Sequence, residues 1–91
     1  MKKILFVCHG NICRSPMAEF VMKHLVREMG LADEIIVESK ALHRDELGSD
    51  THRGTREVLR AYGIPFSKRS AALMTAADYA AYDCIIGMDT E

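Results

Sequence analysis

A cysteine, five further residues, then an arginine and a serine make up Cys8-His9-Gly10-Asn11-Ile12-Cys13-Arg14-Ser15, set between the apolar run Ile4-Leu5-Phe6-Val7 and Pro16. This is the layout of an oxyanion-binding loop with a nucleophile at its base. Backbone N–H groups converging on one concavity, together with the positive end of a following helix, bind a tetrahedral dianion. The same field lowers the pKa of a thiol placed within it, so the sequence predicts Cys8 as a nucleophile held as the thiolate. Arg14 offers a planar, permanently charged fork matched to two phosphoryl oxygens.

The neighbouring residue types suit such a loop. Gly10 permits a sharp reversal, Asn11 tolerates left-handed dihedrals, and Ser15-Pro16 is a helix-start pair. The stretch matches Cys-x-Gly-Asn-x-Cys-Arg-Ser-Pro at every fixed position, and on these residues the chain resembles the low-molecular-weight protein tyrosine phosphatases. The resemblance continues through Met17-Ala18-Glu19, Glu38-Ser39, Glu46-Leu47-Gly48, Gly63-Ile64-Pro65 and Gly87-Met88-Asp89, so it runs the length of the chain.

That resemblance implies a phosphatase in which Cys8 attacks phosphorus and Arg14 binds the phosphoryl oxygens. A cysteinyl-phosphate then forms and is hydrolysed. It assigns His9, Gly10, Asn11, Ile12, Cys13 and Ser15 to the phosphate-binding loop. Asn11 would hold the loop in shape, and Ser15 would donate to the Cys8 sulfur. Cys13 has two readings: a reversible disulfide with Cys8, by resemblance, or a small residue filling the back of the loop. The substrate class implied is protein phosphotyrosine or a small oxyanion, with His9, Ile12 and Leu47 as candidate pocket walls. Relatives that act on phosphoarginine carry threonine where this chain has Ile12. No cofactor is implied.

Family members continue past the equivalent of Met88-Asp89 with further helices, a fourth strand and an Asp-Pro motif that supplies the general acid. No Asp-Pro occurs in these residues, so the acid stays unassigned. Residues 1–91 therefore read as a single phosphatase-like domain whose C-terminal part is missing. A sheet ending at its third strand would leave an open edge, which invites self-association.

With 91 residues and 48% hydrophobic content, the chain has room for one small domain with a modest core. Twelve basic and thirteen acidic residues are interspersed to a net charge of −1, which argues against a nucleic-acid surface. No apolar run reaches membrane-spanning length. Met1-Lys2-Lys3 precedes only a short apolar stretch without a cleavage site, so no membrane partner or signal peptide is expected. Three cysteines without framework spacing fit a reducing compartment, and the expected localisation is cytoplasmic.

Turn signals divide the chain. Residues 3–8 read as a buried strand, and apolar residues at helical spacing predict a helix from Pro16 to about Met29, stopped by Gly30. A second strand is expected over Glu34–Ser39 and a polar loop over 40–50. A helix capped by Asp50 or Thr51 should run to Tyr62 and end at Gly63. Thr75-x-x-Asp78 is a capping box for a short helix to about Tyr82, and Cys84–Met88 reads as a third strand. Strands alternating with helices predict right-handed crossovers and a parallel sheet, with the ligand at the carboxyl end of the first strand. The fold class is α/β and three-layered, flavodoxin-like or Rossmann-like by resemblance.

The remaining residues have plainer readings. Cys84 reads as a buried hydrophobe, His24 as a solvated surface residue, and His43 and His52 as loop and helix-start residues with no partner at metal spacing. Cys8, His9 and Cys13 do not have a standard zinc spacing, so no metal site is expected. Many relatives place a histidine after the Gly-Ile-Pro turn to support the loop asparagine. Here the position reads as Lys68, an ammonium that would favour the thiolate. Lys40 reads as pointing to solvent. Two other functions share this loop: an arsenate reductase, against which Pro16 and the lack of a cysteine pair after residue 80 argue, and a phosphate-binding module without turnover.

Overall fold

The computed structural model describes residues 1–10, 14–44 and 46–88. Three strands and three helices follow one another: β1 (Lys2–Cys8), α1 (Arg14–Glu28), β2 (Ile35–Ala41), α2 (Arg53–Ala61), α3 (Ala76–Ala81) and β3 (Cys84–Gly87). The strands form one parallel sheet in the order β2-β1-β3, so β1 is central. Its register runs from Lys2 opposite Ile35 to Cys8 opposite Ala41, and from Ile4 opposite Cys84 to Val7 opposite Gly87.

Side chains alternate across a strand, so this register sorts the sheet into two faces. On one face Ile4, Phe6 and Val37 pack with Ala18, Met22 and Val26 of α1 to form the main apolar core. Glu38 and Lys40 lie on the other, where Tyr82 Oη donates to Glu38 and Lys40 Nζ donates to Asp78 of α3. Helices therefore flank the sheet on both sides, and the central strand is apolar on both faces, as a parallel sheet requires.

Local chemistry fixes the ends of these elements. Gly30 adopts φ 73°, its N–H donates to Arg27 O, and Leu31 N–H donates to Val26 O, which closes α1 in a Schellman motif. Gly63, at φ 68°, closes α2 in the same way, through Gly63 to Arg60 O and Ile64 to Leu59 O. The expected capping box opens α3, with Thr75 N–H donating to Asp78 Oδ2 at 2.7 Å.

Three expectations are corrected. The cap of α2 is His52, whose Nδ1 accepts from Gly54 N–H at 3.0 Å, and not Asp50 or Thr51. The Asp50 carboxylate is engaged by the N–H groups of Thr51 at 2.7 Å and Arg69 at 3.1 Å, pinning the stretch after α2 to the start of that helix. Lys40 does not point freely to solvent. Its ammonium lies 2.9 and 3.1 Å from the two Asp78 oxygens, tying β2 to α3. Cys84 is exposed and not buried. Its register puts it on the face of Ile4 and Phe6, but α1 lies over β1 and β2, so Cys84 and Ile86 sit beyond its cover. The outer edge of β3 has no strand partner among the described residues, whereas residues 72–74 run along the end of β2 through a bridge from Leu73 to Ala41.

Candidate active site

Cys8 is the last residue of β1 and Arg14 the first of α1, so strand and helix meet across the loop that joins them. Cys8 is 5% exposed and Ser15 fully buried, and Cys8 Sγ lies 3.0 Å from Ser15 Oγ. The sulfur thus faces the first turn of α1, where backbone N–H groups have no partner within the helix and the dipole favours negative charge. No acidic residue occupies that turn to neutralise it. Arg14 is exposed at the helix start, and its Nη1 donates to Met88 O at 2.9 Å, while Met88 N–H donates to Val7 O. The end of β3 is thereby tied to both β1 and Arg14.

His9 follows Cys8, and its ring stacks on His43 with centroids 4.1 Å apart. The backbone sets this pair up, since Leu42 and His43 N–H groups donate to the carbonyls of Cys8 and His9 and carry the β1–β2 ladder past the end of the sheet. His43 was unremarkable in the sequence because its partner lies across two strands. Gly10 is buried at the bend that follows. Asn11, Ile12 and Cys13, assigned above to the phosphate-binding loop, lie outside the described residues, as does Asp89. Leu47 is exposed in a turn, with Gly48 N–H donating to Ala71 O.

A charged cluster gathers around Glu19 of α1. Glu19, one turn along α1 from Ser15, is 7% exposed and accepts from Ser39 Oγ and Lys23 Nζ. Arg69 Nε approaches Glu19 Oε1 at 3.9 Å. Burial pulls the Arg69 guanidinium below its ordinary value, and the charges of Glu19, Asp50 and Cys8 oppose that shift. Lys68 is exposed, and its charge acts on Asp50, while its neighbour Arg69 turns inward. Consecutive residues of an extended segment point in opposite directions, and nothing local says which points inward. Among the described residues, no three His, Cys, Asp or Glu side chains converge as metal ligands, and no helix is long and apolar enough to cross a membrane.

A buried thiol held against a serine at a helix N-terminus, with an arginine beginning that helix, fits the family expectation from residue types. Residues 3–91 match the family model for low molecular weight phosphotyrosine protein phosphatases. The chain belongs to that family. It is 42% identical over 91 residues to the low molecular weight protein-tyrosine-phosphatase YfkJ of Bacillus subtilis, matching all of this chain and 58% of that protein. The crystal structure of YfkJ superposes with a TM-score of 0.95, at 41% identity over 99% of this chain and 57% of that one. SP-PTP, the low molecular weight protein tyrosine phosphatase of Streptococcus pyogenes, gives a TM-score of 0.91 at 45% identity, covering 99% of this chain and 58% of that one. The chain thus spans a little under three-fifths of the relatives it matches.

Proposed function

We propose that this phosphatase-family chain carries the nucleophile and phosphate-binding machinery for hydrolysis of protein phosphotyrosine and small aryl phosphates. The Cys8 thiolate attacks phosphorus, forming an S–P bond as the P–O bond to the aryl group breaks. The leaving phenolate takes up a proton from an acid that these residues do not identify. Water then attacks phosphorus, the S–P bond breaks, and inorganic phosphate departs as the thiolate re-forms with Ser15 donating to it. Arg14 and the loop N–H groups neutralise the equatorial oxygens in both steps. His9, with His43 stacked on it, forms one wall of the entrance, and Asn11, Ile12 and Cys13 complete the loop.

The observation that carries this reading is the 3.0 Å contact of the buried Cys8 sulfur with Ser15 Oγ at the start of α1. Its test is Cys8→Ser. Hydrolysis of p-nitrophenyl phosphate should fall to background while vanadate or phosphate still binds, because the loop N–H groups and Arg14 remain. Turnover surviving in that variant would refute the assignment.

A further inference from the structure

Arg53, Arg56 and Arg60 recur at i, i+3 and i+7 along α2 and share one face of it with Glu57, turned away from the buried Thr55 and Leu59 that seat the helix. These four side chains line an open cleft of about 270 Å³. Pockets that take drug-sized ligands run from ~300 to 1,000 Å³ and are mostly apolar, whereas guanidinium groups wall this one. None of its lining residues belongs to the Cys8 loop.

These guanidinium groups are poorly supplied with acceptors. Arg53 Nε reaches Glu57 Oε1 at 3.1 Å, but both side chains are exposed, and such a pair contributes little. Arg56 Nη1 stands 3.8 Å from Asp50 Oδ2, beyond hydrogen-bond range, and its Nε is shut off from water with no hydrogen-bond partner among the described residues. Arg60 makes no side-chain hydrogen bond or ion pair among the described residues. Its guanidinium is held over the ring of Phe66, 5.5 Å from the centroid, and Phe66 in turn meets Phe20 of α1 edge-on at 6.2 Å. A guanidinium placed over a ring face still has its N–H groups for an acceptor. Three guanidinium groups against one carboxylate leave two positive charges over at the cleft.

We propose that this face of α2 is a second oxyanion site, in which Arg56 and Arg60 supply the donors and Arg53 the rim for a phosphate dianion, either inorganic phosphate or the phosphoryl group of a phosphorylated peptide. Arginine holds phosphate oxygens through paired N–H donors. A phosphoryl group carries about −1.5 to −2 at neutral pH, which matches the excess charge of the cleft, whereas a single carboxylate would leave half of it uncompensated. The site stands apart from Cys8, so the nucleophile assignment neither supports it nor falls with it.

The test is a titration of the isotope-labelled chain with sodium phosphate at constant ionic strength, followed by NMR through the arginine Nε–H signals, with sodium chloride as the control. The Arg56 and Arg60 signals should move along one saturable curve that chloride does not reproduce. Arg56→Gln and Arg60→Gln should each weaken phosphate binding by about tenfold, as expected for loss of one hydrogen bond to a charged partner. Glu57→Gln should tighten it, a gain that damage to the fold cannot produce. Arg14→Lys should leave the Arg56 and Arg60 signals on the same curve, because the Cys8 loop is a different site. A phosphoserine peptide set against its unphosphorylated form separates the sources. Saturation by the phosphopeptide at or below the phosphate concentration assigns the site to a phosphorylated segment, and saturation by phosphate alone assigns it to the free ion; either result supports the site. Shifts that rise without saturation, that chloride matches, that keep full affinity in both glutamine variants, or that vanish in Arg14→Lys would overturn it.

Discussion

Ser15→Ala probes the second chemical step. Ser15 is fully buried with its Oγ 3.0 Å from Cys8 Sγ. In the proposed mechanism, hydrolysis of the cysteinyl-phosphate leaves a full negative charge on the sulfur, which can then only accept, so Ser15 would be the donor. A hydrogen bond to an ionised partner contributes about 1.5–3 kcal/mol. With each ~1.4 kcal/mol worth a factor of ten in rate, hydrolysis of the intermediate should slow by ~10- to 150-fold. The attacking step should suffer less, because a thiolate without its hydrogen bond is scarcer but more nucleophilic. The two steps separate in a rapid-quench experiment with p-nitrophenyl phosphate. Ser15→Ala should show a burst of p-nitrophenolate approaching one equivalent per chain, a slow steady state, and a phosphorylated Cys8 peptide in the quenched protein. An unchanged steady-state rate would refute the reasoning, as would a slowed rate with no rise in the burst, which would put the loss in the first step.

Two further outcomes are expected. Arg14→Lys keeps the charge but loses the two-pronged fork, so kcat/KM for p-nitrophenyl phosphate should fall by about a hundredfold or more; a lysine variant of near-full activity would reduce Arg14 to a general electrostatic aid. The Thr75 N–H group and the Lys40 ammonium hold the Asp78 carboxyl below the usual carboxylate range. The stability it contributes is thus fully present above pH ~4 and is lost as pH falls through the depressed folded value. Asp78→Asn should accordingly cost about 1–3 kcal/mol in urea unfolding at pH 7, and that gap should narrow steadily from pH 4 towards pH 2. A gap that stays constant over that range would show that the ionised carboxylate is not the stabilising form.

Signals confined to a few neighbouring residues carried the fold. The run Ile4-Leu5-Phe6-Val7 became the doubly buried central strand, Gly30 and Gly63 close their helices at positive φ, and Thr75 with Asp78 opens α3, each decided within about one helical turn. The misread residues are those whose surroundings come from far along the chain. Lys40 meets Asp78, 38 residues away, and the exposure of Cys84 depends on how far α1 reaches across the sheet. Asp50 is an intermediate case. It has the residue type of a helix cap, but the N–H of Arg69, 19 residues on, competes for its carboxylate and leaves the cap to His52. Residue type identified the groups able to form such bonds, and packing chose among them.

The same distinction separates Arg14 from Arg69. Arg14 lies in the motif, and its position at the exposed start of α1, braced against Met88 O, leaves a flat guanidinium where a substrate can reach it. Arg69 lies in no motif, and its side chain is nearly closed off from solvent against a carboxylate. Loss of Arg14 should therefore appear in phosphoryl transfer even at a pH where Cys8 is fully ionised. Measuring kcat/KM for Arg14→Lys across pH checks that role from the shape of the profile: a displacement by the same factor at every pH is expected, and a deficit confined to the acid limb would show that Arg14 acts only through the formation of the thiolate.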